Sequence, residues 1–205
     1  MKKALLFLFC TIAAAVLLGY FVLPRGYEIR NSHPGGTHII CFGDSLTYGI
    51  GAADGNDYPS HLSRLIGEEV INEGVPGDTT EDALERLDRD VLVRSPKIVI
   101  LTLGGNDLKN KVPREVAFEN LRTLVLRIQD TGALVVIGGI DIPLFGKGFA
   151  DAYEELARET GSVLVPNIYA GILGRGNLMS DLIHPNDDGY RVMAELFYQA
   201  IRPYL

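Results

Sequence analysis

The sequence lacks the patterns that most often mark disulfide-rich, metal-binding and nucleic-acid-binding proteins. It has two cysteines, Cys10 and Cys41, which are too few for a disulfide framework. Neither a C-x-x-C pair nor an H-E-x-x-H helix is present, so we expect no metal site. The longest Lys/Arg run is Lys2-Lys3 and the formal net charge is −7, which argues against a nucleic-acid partner and against electrostatic binding to anionic lipid.

The composition is that of a folded protein with about one domain. The chain has 205 residues, of which 47% are hydrophobic and 22% charged, an ordinary globular balance. Residues 25–37 are rich in Pro, Gly and polar residues and show no periodicity, so they are interpreted as a linker. The folded domain is predicted over residues 38–205, a length that can bury most of a hydrophobic core without disulfides or metal.

Residues 1–24 are interpreted separately, because residues 4–23 contain no charged side chain. A helix of that length is about 30 Å long, enough to cross the apolar part of a bilayer. A cleaved signal peptide is the alternative, with Ala13-Ala14-Ala15 as the cleavage region. Cleavage there would leave an apolar N-terminus, so an uncleaved signal-anchor is favoured. Lys2 and Lys3 on one side of this run balance Arg25 and Arg30 on the other. The amino-terminal amine tips the charge count toward a domain outside the cytoplasm, either membrane-anchored or exported.

Strand and helix patterns alternate five times along the domain. Short apolar, β-branched runs predict strands at 38–42, 69–72, 98–103, 134–140 and 163–165. Apolar residues at helical spacing predict helices at 58–68, after N-caps at 78–80, between Pro113 and Gly132, at 152–160, and over a final segment around 192–201. The alternation predicts an α/β fold: a three-layer α/β/α sandwich around a five-stranded parallel sheet.

Polar and glycine-rich loops follow the predicted strands. Such sheets bind ligands beyond the carboxyl ends of their strands, so these loops should carry the chemistry. The loops at 43–46, 74–79, 104–107 and 181–185 together supply a serine hydroxyl, an imidazole, a carboxylate and several amide donors. Those groups are the ones that acyl transfer through a covalent serine intermediate requires.

Three of these loops carry motifs that resemble the GDSL, or SGNH, esterase–lipase family. GDSLTYG at 43–49, GGND at 104–107 and DLIHP at 181–185 stand in the family's order and at similar spacing, and NEGVPGDT at 72–79 is a looser match. The chain is similar to the thioesterase I/lysophospholipase L1-like branch over residues 38–205. The resemblance implies a flavodoxin-like fold and an esterase that needs no cofactor or metal.

The resemblance also implies a role for each motif residue. Ser45 matches the family's nucleophile, and Asp181 and His184 match the other members of its catalytic triad. The N–H groups of Ser45 and Gly77 and the side-chain amide of Asn106 match the donors of its oxyanion hole. Gly77 also precedes a predicted helix start, where the helix dipole favours negative charge.

The residues alone leave structural alternatives for the same positions. Gly-Asp-Ser sequences favour turns, so Ser45 can be a turn residue. Asp181 and His184 can form the entry to the final helix, and a loop asparagine such as Asn106 often bridges its own loop. Gly74, the other glycine of the second loop, is expected to serve backbone freedom.

The substrate is defined only by class. Four apolar residues on these loops, Leu108, Ile142, Leu144 and Phe145, are expected either to contact an acyl chain or to pack within their loops. The predicted enzyme is a monomeric serine esterase that hydrolyses carboxylic esters or thioesters of small or acyl-chain substrates. Oxygen esters, including lysolipids beside the membrane, are favoured. The alternatives are a carbohydrate O-acetylesterase and a non-catalytic, membrane-anchored binding module.

Overall fold

The computed structural model of the protein describes residues 26–141 and 148–205. The strands are β1 (His38–Gly43), β2 (Val70–Gly74), β3 (Pro96–Thr102), β4 (Leu134–Gly138) and β5 (Val163–Val165). The α-helices in these residues are α1 (Ser45–Tyr48), α2 (Tyr58–Ile66), α3 (Thr80–Asp90), α4 (Gly105–Lys109), α5 (Arg114–Gln129), α6 (Phe149–Thr160) and α7 (Asp187–Ile201). Short 3-10 turns follow α3 and α7.

The five strands form one parallel sheet, as predicted, and their order in the sheet is β2-β1-β3-β4-β5. Nearly all side chains of β1, β3 and β4 are buried, which requires cover on both faces and explains why these strands are apolar runs. Helix α2 packs against α7, and α5 packs against both α3 and α6. Because all strands are parallel, their carboxyl ends meet at one edge of the sheet, here called the carboxyl edge.

The N-terminus of α3 forms as its sequence predicts. Thr79 adopts extended backbone and its side chain accepts from the N–H of Asp82, while the Asp82 carboxylate accepts from the N–H of Thr79. This reciprocal pair satisfies two N–H groups that have no partner inside the helix. The helix therefore starts at a fixed point beyond β2 and holds the preceding Gly77 loop at the carboxyl edge.

Several element boundaries differ from the predicted ones. β2 continues to Gly74 because that residue still pairs with Gly43 of β1. β4 ends at Gly138, since the carbonyl of Gly139 accepts from Ile168 in the loop after β5. Helix α6 starts at residue 149 rather than 152. The short helices α1 and α4 were not predicted, because four or five residues are too few to show helical periodicity.

Residues 26–37, part of the predicted linker, have no regular secondary structure and are attached to the domain. The Tyr27 hydroxyl donates to the carbonyl of Ser162 over 2.7 Å, and the N–H of Arg30 donates to the carbonyl of Gly161 over 2.8 Å. The predicted N-terminal hydrophobic helix at 1–24 lies outside the described residues. None of the described helices combines the length and apolar content needed to span a bilayer.

Candidate active site

Ser45, His184 and Asp181 form a hydrogen-bonded chain at the carboxyl edge. Nε2 of His184 lies 3.1 Å from Oγ of Ser45, and Nδ1 of His184 lies 2.7 Å from Oδ2 of Asp181. A carboxylate only accepts hydrogen bonds, so Nδ1 carries the proton and Nε2 is left to accept from the serine hydroxyl. This is the arrangement in which an imidazole takes up the proton of a serine nucleophile.

The loop that carries Asp181 and His184 is fixed by its own hydrogen bonds. Oδ1 of Asp181 accepts from the N–H groups of Ile183 and His184 at 2.8 and 2.7 Å, and the Tyr169 hydroxyl donates to the carbonyl of Ile183 at 2.7 Å. The hydrogen bond from the His184 ring and those two N–H groups hold the pKa of the Asp181 carboxyl at about 2. Asp181 is therefore ionised at neutral pH.

Ser45 is placed by the tight turn from β1 into α1. Asp44 caps α1, its Oδ1 accepting from the N–H of Leu46 at 3.0 Å. Gly74 of β2 lets α1 approach the sheet, because a Cβ there would lie 2.1 Å from the backbone nitrogen of Tyr48. Gly74 does not adopt a positive φ, so the requirement for glycine is a close approach rather than the backbone freedom expected from sequence.

Gly77 occupies a turn that only glycine adopts easily. Its φ is +93°, and the N–H of Asp78 donates to the carbonyl of Val75, so Pro76 and Gly77 are the central residues of a type II turn. Among the described residues, no acceptor bonds the N–H of Gly77 or that of Ser45. Both predicted oxyanion donors are thus available to a ligand.

Asn106 lies between the loops of those two donors. Its Nδ2 donates to the carbonyl of Asp78, the residue after Gly77, over 2.9 Å, and lies 3.4 Å from Oδ2 of Asp44, the residue before Ser45. The side chain therefore bridges to the neighbouring loops rather than bracing its own. The long 3.4 Å contact leaves one amide hydrogen without a strong partner.

The comparison with known proteins agrees with this geometry. The family model described as GDSL-like Lipase/Acylhydrolase family matches residues 41–192. The chain belongs to this family. Like its relatives it is a hydrolase that acts on ester bonds.

This GDSL hydrolase is similar in sequence to several curated proteins and in fold to solved structures. It is 30% identical to an arylesterase of Vibrio mimicus over 178 residues, covering 82% of this chain and 89% of that protein. It is 26% identical to thioesterase 1/protease 1/lysophospholipase L1 of Escherichia coli K12, covering 80% and 83%. The crystal structure of TesA shares its fold with a TM-score of 0.77 at 24% identity, covering 82% of this chain and all of that one.

A buried arginine ties together the loops of the GDSL hydrolase site. Arg86 of α3 is 6% exposed; its Nε lies 2.6 Å from Oδ2 of Asp78 and its Nη1 lies 3.2 Å from Oδ2 of Asp90. Its Nη2 donates to the carbonyls of Gly43 and Glu73, at the ends of β1 and β2. The sequence analysis missed this residue. A detectable signal existed, because Arg86 and Asp90 fall on the buried stripe of the helix.

Asp44 is a second buried ionisable group of the site. Burial is the largest effect on its carboxyl, opposed by the hydrogen bond from Leu46 and by the charge of His184, and the net result raises its pKa to about 6. The negative charges of Asp78 and Asp107 act in the same direction as burial. Asp44 therefore changes charge within the pH range in which an esterase works.

Of the four predicted substrate-contact residues, only Leu108 lies among the described residues. Leu108 lies on α4, half-buried against the hydrophobic core, and Ile142, Leu144 and Phe145 lie outside the described residues. Two apolar residues that the sequence analysis did not single out stand between the triad residues 181 and 184. Leu182 is 91% exposed and Ile183 is 48% exposed, although the loop backbone is held by hydrogen bonds.

Proposed function

We propose that this protein is a monomeric serine esterase that hydrolyses carboxylic esters or thioesters through an acyl-serine intermediate. The observation that carries the proposal is the continuous chain from Ser45 Oγ through the His184 ring to Asp181, with contacts of 3.1 and 2.7 Å. All three groups come from one chain, so a single copy contains the triad.

The reaction proceeds in two steps. Ser45 Oγ attacks the acyl carbonyl carbon while Nε2 of His184 takes its proton, and Asp181 stabilises the resulting imidazolium. His184 then donates that proton to the departing alcohol or thiol, which leaves an acyl ester on Ser45. In the second step His184 deprotonates water, the hydroxide attacks the acyl-serine, and the proton returns to Ser45 as the free acid departs. None of these steps uses a metal or a cofactor.

The negative charge on the carbonyl oxygen is stabilised by three donors in this proposal: the N–H groups of Ser45 and Gly77 and the side-chain amide of Asn106. The contacts of Asn106 with Asp44 and Asp78 support this grouping, since those residues adjoin the two N–H donors in the chain. Donors that are already oriented in the folded protein stabilise the transition state without reorganisation.

The proposed substrates are esters of small acids or of acyl chains. The relatives named arylesterase and thioesterase 1/lysophospholipase L1 are consistent with that range. Leu182 and Ile183 supply apolar surface beside His184, and Leu108 with residues 142, 144 and 145 is proposed to extend it. Burying such surface against an acyl chain contributes about 25 cal/mol per Å².

The nucleophile is tested with a fluorophosphonate probe that forms a covalent bond with activated serines. The parent and a Ser63→Ala control should be labelled, because Ser63 lies at the far end of α2 and bonds the carbonyl of Glu68. Ser45→Ala should lose both labelling and turnover. Adding His184→Ala to that variant should cost little more, because the triad acts as a unit. Labelling at another serine, or an active Ser45→Ala protein, would reject the assignment.

We further propose that residues 4–23 anchor the chain in a membrane, with the esterase domain outside the cytoplasm. The support is the uncharged run itself, whose helical length of about 30 Å matches the apolar core of a bilayer. The full chain should then sediment with membranes and resist a high-salt wash. A soluble native protein whose N-terminus is Val16 would instead establish a cleaved signal peptide.

A further inference from the structure

The first described residues are attached to the edge of the sheet opposite to the candidate active site. Tyr27 and Arg30 bond the carbonyls of Ser162 and Gly161, which immediately precede β5. All strands run in parallel, so the amino ends of the strands share one edge, here called the amino edge. Ser45 follows β1 and therefore lies at the other edge.

Further contacts hold this segment along the amino edge. Nδ2 of Asn31 donates to the carbonyls of Gln129 and Ala133 at 2.8 and 2.9 Å, just before β4 begins. Gly161 packs closely beneath the segment, because a Cβ there would lie 2.8 Å from the carbonyl oxygen of Glu28. Residues 27–31 thus belong to the domain, and the part of the chain free to act as a tether is much shorter than residues 25–37.

The remaining tether is too short for the domain to reverse its orientation relative to the membrane. Only Pro24 and Arg25 separate Leu23, the last residue of the uncharged run, from Gly26. Three peptide steps span at most about 11 Å. β1 has six residues, so the two edges of the sheet are about 20 Å apart. Bringing the carboxyl edge to the membrane would move the amino edge farther from it than the tether reaches.

We propose that the active site faces away from the membrane in which residues 4–23 are embedded. Its substrates are then esters that arrive from the aqueous phase or from a surface opposite, rather than lipids of the anchoring bilayer. This orientation departs from the sequence-based expectation of lysolipid substrates beside the membrane. The inference rests on the membrane attachment proposed above and is independent of which ester is cleaved.

The orientation is tested by energy transfer from two sites on the full chain to acceptor-labelled lipid headgroups in phosphatidylcholine vesicles. With Cys10 replaced by Ser and Cys41 fully buried, a dye is attached at Val93→Cys or at Leu182→Cys. Val93 is 74% exposed and precedes β3, at the amino edge, whereas Leu182 lies at the carboxyl edge. Transfer should be clearly stronger from position 93. Equal transfer, or stronger transfer from position 182, would overturn the orientation.

An insertion between Arg25 and Gly26 supplies the matched control. About 15 Gly and Ser residues add a mean reach of ~20 Å, comparable with the height of the sheet. The insertion should remove the difference between the two dye positions and speed hydrolysis of a vesicle-embedded acyl ester at least tenfold. Turnover of a soluble p-nitrophenyl ester should stay unchanged. A difference that survives the insertion would reject the short tether as its cause. Failure of the chain to float with vesicles would reject membrane attachment, and fluorophosphonate labelling would still report the esterase separately.

Discussion

Nη2 of Arg86 donates to the carbonyl oxygen of Gly43 over 2.9 Å, and Gly43 precedes Ser45 by two residues. The same guanidinium holds Asp78, whose carbonyl accepts from Asn106. One buried side chain on α3 is therefore bonded to the strand end that leads to the proposed nucleophile, Ser45, and to the loop that binds Asn106, the proposed oxyanion donor. Its planar, multidentate geometry is not available to a lysine.

We expect Arg86→Lys to fold but to lower kcat by about tenfold, because one ammonium cannot reach all four acceptors and the loops lose their relative positions. KM should change little, since Arg86 is buried away from solvent. Arg86→Met leaves buried Asp78 without its cation and removes one of the two arginines that contact Asp90, so this variant should be destabilised by about 3–5 kcal/mol. Steady-state kinetics and urea unfolding measure the two effects.

Arg89→Ala is the control on the same helix. The Arg89 side chain is 76% exposed although it also contacts Asp90, so its removal should change stability little and leave kcat intact. If Arg86→Lys lost stability while the folded protein kept the parent kcat, the arginine would support only the fold.

The stability of the protein should depend on Asp44 in a defined pH window. Folding raises the pKa of this carboxyl to about 6, whereas an unfolded Asp titrates near ~3.9. Between those values the folded state keeps a proton that the unfolded state has lost, so stability falls as pH rises. Asp44→Asn cannot ionise and still accepts from Leu46. Relative to the parent, its free energy of unfolding should increase by up to about 3 kcal/mol as the pH rises from about 4 to about 7. Urea unfolding at both pH values measures this change.

Asp107→Asn serves as the comparison for that experiment. Asp107 is equally buried, but its two oxygens accept from the N–H and the hydroxyl of Thr80 at 3.0 and 2.7 Å. An amide N–H would face one of those donors, so this variant should be less stable than the parent at both pH values. A gain for Asp44→Asn that is the same at about pH 4 and pH 7 would contradict ionisation of Asp44 as its cause.

Leu182 should affect substrates according to acyl-chain length. Leu182→Ser removes exposed apolar surface from the loop that carries His184, so KM for a p-nitrophenyl octanoate should rise by roughly fivefold, equivalent to about 1 kcal/mol of lost burial. The acetate ester is too short to use that surface and should keep its KM. Val93→Ser, an equivalent change at the amino edge, should alter neither. A uniform effect on both esters would show that Leu182 supports the loop rather than binds the chain.

Long, regular features of the fold were predictable from the sequence. β1, β3 and β4 are apolar because they are buried on both faces, and the amphipathic helices between successive strands favour a parallel sheet. Ser45, Asp181 and His184 were singled out because their motifs resemble those of the GDSL family; β3 and β4 separate β1 from β5, so strand adjacency alone does not bring these residues together. The helices α1 and α4 are too short to show helical periodicity, and the docking of residues 27–31 depends on contacts between residues distant in sequence, so none of these was predictable.

Arg86 shows a different limit of sequence reasoning. An arginine among acidic residues on a helix normally indicates a solvated face, and only tertiary contacts reveal that the guanidinium is enclosed by two strand ends and a loop. Gly74 is similar: its motif position suggested backbone freedom, whereas the structure requires glycine because α1 passes directly over it.

Variants of Asn106 test whether the proposed oxyanion hole exists. Charge grows on the substrate carbonyl oxygen only as Ser45 attacks, so a donor to that oxygen affects kcat more than KM. Asn106→Ala should reduce kcat by roughly 10²–10³. It should also lose about 1 kcal/mol of stability, because the hydrogen bond to Asp78 disappears. Asn106→Asp should be at least as damaging, since an ionised carboxylate cannot donate and repels the oxyanion.

The control for this last prediction is Asn120→Ala, on α5. The Asn120 amide donates to the Thr80 hydroxyl over 3.1 Å and therefore also ties two elements together, but away from the triad. Its loss should lower the melting temperature by a similar amount while kcat stays near that of the parent. If both asparagine variants lost only stability, Asn106 would be a loop brace. The two variants lose comparable hydrogen bonds, but only Asn106 lies between the loops of Ser45 and Gly77. A large fall in kcat confined to the Asn106 variant, with KM unchanged, would therefore indicate stabilisation of the transition state rather than support of the fold.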